Sequence, residues 1–247
     1  MEIFADYHTH TRYSHGKGSI EDNIKAGIKK NLEEIAISDH GPANLGIGVK
    51  PIFFKKMRTE INNLQKKYDK IKIKLGVEAN IISVDGKLDV SVKDLRDLDI
   101  VLAGLHVMVK PASLQDGYNL LLKNQLGKIY TPMARKARNI NTKALVEAIY
   151  KYPIDIIAHP GLRLSIDTRE LAKAAAKTGT ALEINSSHGY LTVDFARTAA
   201  KEGVDFAIGS DAHSPEDVGN LQSGIRVAEK AGIPAERVIN AREYSKR

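Results

Sequence analysis

Seven of the eight histidines in this chain stand where a short apolar run gives way to a polar loop. His8 and His10 close the first such run, and His15 lies in the loop beyond it. His40, His106, His159 and His213 end later runs, and two carboxylates, Glu78 and Asp211, occupy equivalent places. Imidazole and carboxylate are donors for transition-metal ions, and a chain with no cysteine must build any metal site from them. Taken singly, each residue reads as a hydrogen-bonding loop histidine or an acidic cap. Their joint placement does not, because fold stability gives no reason to gather imidazoles at the ends of separate strands. Zinc takes three or four protein donors, so these nine suit two or three ions. Imidazole-rich ligation favours Zn, Fe or Mn over Ca or Mg.

Strands must position these donors. Side chains alternate along a strand, so His8 and His10 project to one side from the end of Asp6-Tyr7-His8-Thr9-His10. Ser19-Ile20-Glu21-Asp22 has the form of a capping box, and Ile20, Ile24 and Ile28 mark one face of a helix reaching Asn31. A second strand is expected from Glu34 to Ser38, before His40 and the Gly41-Pro42 punctuation. Pro51 opens a helix with Phe53, Met57, Ile61 and Leu64 at helical spacing. Further strands are expected at Ile71 to Val77, Ile100 to Leu105, Ile154 to Ala158, Ala181 to Ile184 and Asp205 to Ile208, with a hairpin at Asp85-Gly86. Helices fit Lys93 to Leu98, Lys143 to Tyr150, Arg169 to Lys177 and Val193 to Glu202. Ser214-Pro215 looks like the start of another and Pro234 of a last one.

Residues 107–141 show helical potential around Tyr118 to Leu126 and a basic patch at Arg135-Lys136-Ala137-Arg138, and are expected to run as an excursion over the barrel mouth. Seven strands alternating with helices predict parallel βαβ units in a closed or nearly closed α/β barrel of TIM-like (β/α)7 type. In such barrels the site lies at the C-terminal ends of the strands, which is where every candidate ligand falls.

A chain of 247 residues suits one such domain over residues 1–247. With 43% hydrophobic and 27% charged residues it reads as soluble, and no apolar run approaches the roughly 20 residues that span a bilayer. The first residues lead directly into a strand rather than a signal peptide, so a cytoplasmic location is expected. The formal charge of +7 invites anionic partners, but Lys and Arg are scattered through helical segments such as Lys55 to Lys74. That pattern suits a solvated basic surface better than a nucleic-acid groove. A homo-oligomer is compatible with all of this.

Asp6-Tyr7-His8-Thr9-His10, Ser38-Asp39-His40-Gly41-Pro42, Gly76-Val77-Glu78-Ala79-Asn80, Ala158-His159-Pro160-Gly161 and Gly209-Ser210-Asp211-Ala212-His213 together resemble the PHP (polymerase and histidinol phosphatase) superfamily. More closely, the chain resembles its small stand-alone bacterial phosphatases, which hold three zinc ions in a distorted seven-stranded barrel. The motifs run from residue 6 to residue 213. The resemblance implies one ion held by His8, His10, Glu78 and Asp211, a second by Glu78, His106 and His159, and a third by His15, His40 and His213. Manganese or iron are the alternatives to zinc. The chain departs from the subgroup in residues 107–141, which look longer than expected.

Three divalent ions bring about +6 of charge, offset by about −2 from the two carboxylates, so a phosphate dianion is the natural guest. The expected function is a metal-dependent phosphatase on a small phosphomonoester, with a metal-activated hydroxide attacking phosphorus. Histidinol phosphate is one candidate substrate. A phosphodiesterase or 3′–5′ exonuclease is the second reading, and a non-catalytic metal-binding barrel the third. Catalytic roles fall to Glu78 and Asp211, and His188, the remaining histidine, is a candidate for contacting the leaving group. Arg12, Arg135, Arg138 and Arg163 are candidate phosphate grips. Lys17 and Tyr13 lie in the same rim loops without a decided role.

Overall fold

The strands are short and rich in β-branched residues, and they are buried on both faces, as parallel strands under helices must be. A computed structural model describes residues 1–244. In it β1 (Ala5–Thr9), β2 (Glu34–Ile37), β3 (Lys72–Asn80), β4 (Ile100–Gly104), β5 (Ile156–Ile157), β6 (Ala181–Asn185) and β7 (Phe206–Gly209) pair in sequence order, every pair parallel. The sheet nearly closes into a barrel. His10 N–H donates to the Ala212 carbonyl at 2.8 Å, and Ala212 N–H donates to that of His8 at 3.2 Å. Buried Asp6 accepts from the backbone N–H groups of His8, Ser210 and Gly219, which ties both sides of this seam together.

Register decides what faces the barrel axis. Ala36 pairs with Lys74, Glu78 with Leu102, Leu102 with Ile156, Ile156 with Ala181, and Glu183 with Ala207. Ala5, Tyr7, Ala36, Ile100, Leu102, Ile156, Ala181 and Ala207 pack into one apolar plug at the base of the barrel. Continuing by twos toward the strand ends, the same inward phase delivers His40, Glu78, Asn80, His106, Glu183, Asn185 and Asp211. The alternate residues, such as Ile35, Ile37, Leu182, Ile184 and Ile208, join the outer core under the helices.

Three donors, His8, His10 and His159, fall out of that phase, and local backbone brings them back. Between Asp6 and Thr9, β1 carries one residue more than β2, so the inward direction passes from Ala5 and Tyr7 to His8 and His10. At the end of β5, His159 takes a positive φ of 29° directly after Ala158.

The helix Ile20–Lys29 starts at the expected box, with Ser19 and Asp22 capping each other reciprocally. It and the helix Pro51–Lys67 bury Ile20, Ile24, Met57 and Ile61 against the outer faces of the strands. Such side chains contribute about 1.5–3 kcal/mol each on burial. The hairpin forms at Asp85-Gly86, where Gly86 has φ 79° and a Cβ would meet the Ala148 nitrogen at 2.3 Å.

Three expectations are corrected. Residues 107–141 do not lie over the mouth as one excursion. Only the first few reach it, while residues 114–127 coil beside the barrel against a helix that runs Thr131–Lys151 rather than from Lys143. Pro132 in its first turn starts that helix early, and buried Ala137, Asn141, Ala144, Leu145 and Ala148 hold it down. Ser214-Pro215 begins only a single 3-10 turn, Pro215–Asp217, and the helix follows at Gln222–Ala231. Pro234 likewise opens a turn, Ala235–Arg237, not a helix. Among the described residues no helix is long and apolar enough to cross a membrane.

Candidate metal centre

At the C-terminal rim the seven expected histidines and two carboxylates converge. Glu78, fully buried on β3, is the hub: its Oε1 lies 2.8 Å from His159 Nε2, 3.0 Å from His106 Nε2 and 3.5 Å from His8 Nε2. Its Oε2 lies 2.6 Å from His40 Nδ1 and 3.8 Å from His10 Nε2. Asp211 Oδ1 is 3.1 Å from His10 Nε2 and 3.5 Å from His8 Nε2. The rings of His15, His40 and His213 gather on the outer side, with His15 centred 4.8 Å from His40 and 4.2 Å from His213. His10 sits between the groups, 4.4 Å from the rings of both His40 and His213.

These donors fit cations better than they fit one another. His8 Nε2, His10 Nδ1, His40 Nδ1 and Glu78 Oε2 are buried without a hydrogen-bond partner, although His40 and Glu78 approach to 2.6 Å. Atoms so close and so badly aimed for a hydrogen bond are directed at a shared point, as metal ligands are. Three triads have ligand atoms within 4.8 Å of one another: His8, His10 and Asp211; His10, His40 and His213; and His40, Glu78 and His106.

The protonation states of both carboxylates, His10 and His15 agree. Burial alone would raise the Glu78 carboxyl, but the imidazoles of His106, His40 and His8 hold it well below the usual carboxylate range. Burial would raise Asp211 too, and His8, His10 and His188 hold it down in the same way. Burial, reinforced by His40 and His8, pushes His10 well below its ordinary value. Burial followed by repulsion from His213 and His40 pushes His15 down to about 4. Both rings are therefore neutral near pH 7, with a lone pair free for a cation. Burial disfavours the charged form of His8, yet Glu183, Asp211 and Glu78 together raise it well above 6.5. Its Nδ1 lies 2.7 Å from Glu183, which leaves Nε2 to face Glu78 and Asp211.

Glu183 is the residue that sequence reading missed. It is 1% exposed in β6, orients His8 through Nδ1, and accepts the His159 backbone N–H at 2.8 Å. Asn185 donates to both Glu183 and Asp211, and Asn80 Oδ1 lies 2.7 Å from His106 Nδ1. The approach of Glu183 depends on Gly209, where a Cβ would meet its Oε1 at 2.1 Å. The loop holding His15 is secured by buried Asp39, which accepts from Thr11 N–H, Thr11 Oγ1 and Ser14 Oγ.

Above the donors opens a cavity of about 530 Å³. His188 lines it, with a 38% exposed side chain and Nε2 3.3 Å from Asp211 Oδ2. Arg163 and Lys17 also line it, whereas Arg12, Arg135 and Arg138 do not. Arg12 pairs with Asp22 at 3.6 Å, Arg135 is exposed on the helix flank, and Arg138 donates to the Ile166 carbonyl and the Asp167 carboxylate. Tyr13 donates to Glu60 instead of reaching the centre.

The model of the PHP domain matches residues 6–192. The chain belongs to the PHP family. Over 97% of its length this PHP protein is 33% identical to a protein of Caldanaerobacter subterraneus named a probable phosphatase, of which the match covers 88%. It is 31% identical, again over 97% of its length and 90% of the relative, to a Shewanella frigidimarina protein of the same name. Its fold is that of a Lactococcus lactis histidinol phosphate phosphatase solved with zinc, L-histidinol and phosphate. The match has a TM-score of 0.64, 18% identity and 95% coverage of both chains.

Proposed function

We propose that this PHP protein is a metal-dependent phosphatase that hydrolyses a small phosphomonoester. The observation carrying this reading is the ring of buried, unpartnered donor atoms around Glu78 beneath an open cavity. The names of its relatives support it, as does the zinc and phosphate in the structure of the Lactococcus lactis neighbour. His8, His10, Glu78 and Asp211 would hold one ion, Glu78, His106 and His159 a second, and His15, His40 and His213 a third. Zinc suits so imidazole-rich a set, ahead of manganese or iron. When bound, such ions acidify water and neutralise phosphoryl oxygens.

The chain's own residues do the rest. Glu183 and Asn185 fix His8 and Asp211, so the ligand rim is held before substrate arrives. Arg163 is the guanidinium that the structure brings to the cavity, placed to grip phosphoryl oxygens. His188, half-exposed and leaning on Asp211 through Nε2, would pass a proton to the departing alkoxide. The deciding experiment is metal reconstitution followed by assay on p-nitrophenyl phosphate, its bis ester and single-stranded DNA. Turnover of the monoester alone is expected; turnover of the bis ester or DNA in its place would make this a phosphodiesterase. A folded, metal-loaded protein inactive on all three would leave the non-catalytic barrel.

A further inference from the structure

The cavity has two kinds of wall. Its floor is the histidine cluster, and its lip is apolar: Ile47, Leu105, Val107, Met108 and Leu162 all line it, and Met108 is 62% exposed there. The lip is a built surface, because the loops that carry it are joined by backbone hydrogen bonds. Leu45 N–H donates to the Met108 carbonyl at 2.9 Å, Lys110 N–H donates to Ala43 at 2.9 Å, and Asn44 bridges Val109 antiparallel. An open apolar surface held in place beside a charged floor is the arrangement of a site that binds a substrate's organic part by desolvation.

Charge at the lip has one sign. Lys17 and Arg163 are exposed liners, and no ion pair to a carboxylate neutralises either one among the described residues. Asp211 is the one carboxylate lining the cavity, and it is buried against His8, His10 and His188. An ammonium or guanidinium group on the substrate would find no free carboxylate here and two like charges nearby.

We infer that the site selects phosphomonoesters whose alcohol part is apolar, aliphatic or aromatic, and carries no positive charge. This rests on the phosphatase reading above. Hydrolysis joins a water oxygen to phosphorus and breaks the ester P–O bond, releasing the alcohol with a proton from that water. The inference concerns only which alcohol is accepted. It separates this chain from phosphatases of amino-alcohol esters, amino alcohols being the class to which the L-histidinol of the Lactococcus lactis structure belongs.

Three esters test it on the metal-replete protein: 3-phenylpropyl phosphate, propyl phosphate, and 2-amino-3-phenylpropyl phosphate, which adds only an ammonium to the first. The phenyl group should raise kcat/KM over propyl phosphate on the order of tenfold. The ammonium should lower it on the order of tenfold. Calorimetric binding of the matching phosphonates should follow the same order, which separates recognition from turnover. Met108→Glu, a change at an exposed position, should narrow the gap between the neutral and aminated esters. Equal or preferred turnover of the aminated ester, or no gain from the phenyl group, overturns this inference and leaves the phosphatase reading standing. No turnover of any of the three, nor of p-nitrophenyl phosphate, overturns both.

Discussion

The floor and the lip of the cavity are built on opposite principles. Most floor residues sit on strand ends, and several of their rings are braced by a neighbour: His8 by Glu183, His106 by Asn80, and His10 by Asp211. Lip residues are half-exposed or exposed, and the loops carrying Ile47, Val107 and Met108 are held together by backbone hydrogen bonds between residues 43–45 and 108–110. A floor donor cannot move without disturbing several others, whereas a lip side chain can change with little cost to the fold. On the proposed reading, metal chemistry and substrate choice fall to different physical layers of one site.

The sharpest way to break this division is to strike the hub. Glu78→Gln should reduce phosphatase activity to background and lower the bound metal by at least one ion, measured by elemental analysis of reconstituted protein. Retention of full activity would mean that the floor is not the reactive layer. Glu183→Gln should be milder, weakening metal affinity by about 10–100-fold through a less well held His8. Its readout is metal titration, with excess metal restoring much of the turnover. Leu162→Ala at the lip should raise KM for an aryl phosphate by several-fold, about tenfold at most, while metal content stays at the wild-type value. A change in metal content there would erase the distinction between the layers.

The smallest effect concerns His15, a proposed ligand that reaches the exposed rim. In metal-free protein its folded pKa is about 4, against about 6.5 for an unfolded histidine. The unfolded state therefore takes up the proton first. Stability should fall as pH drops from about 6.5 to about 4 and level off below. His8 and His159, both raised, run the other way and lose their contribution as pH rises. Denaturant melts of chelated wild type and His15→Asn should differ in slope across that window, the variant being flatter; parallel profiles would show that His15 is not held neutral.

Much of the floor was legible because its signal is local. A histidine or carboxylate just past an apolar run names a strand end, and six such ends among seven strands alternating with helices name a parallel barrel. Glu183 was not legible, since a lone Glu within Ala181-Leu182-Glu183-Ile184-Asn185 gives no hint of His8, 175 residues away. A charged residue in a strand that must be buried on both faces was the available clue. The β1 bulge and the positive φ of His159 were equally silent, because both are responses to the closed barrel rather than to nearby sequence. The same holds for Arg138. Its charge suggested phosphate, but helix Thr131–Lys151 begins about three turns before the expected start and turns that guanidinium toward Asp167.

The ladder joining residues 43–45 to 108–110 has a use beyond fixing the lip. Two loops stitched to each other can be transplanted together as a cassette. Replacing them as a unit would re-dress the entrance of this barrel for another alcohol while the donors below keep their places. Duplicated genes could diverge in appetite by the same route, without rebuilding the ion-holding base.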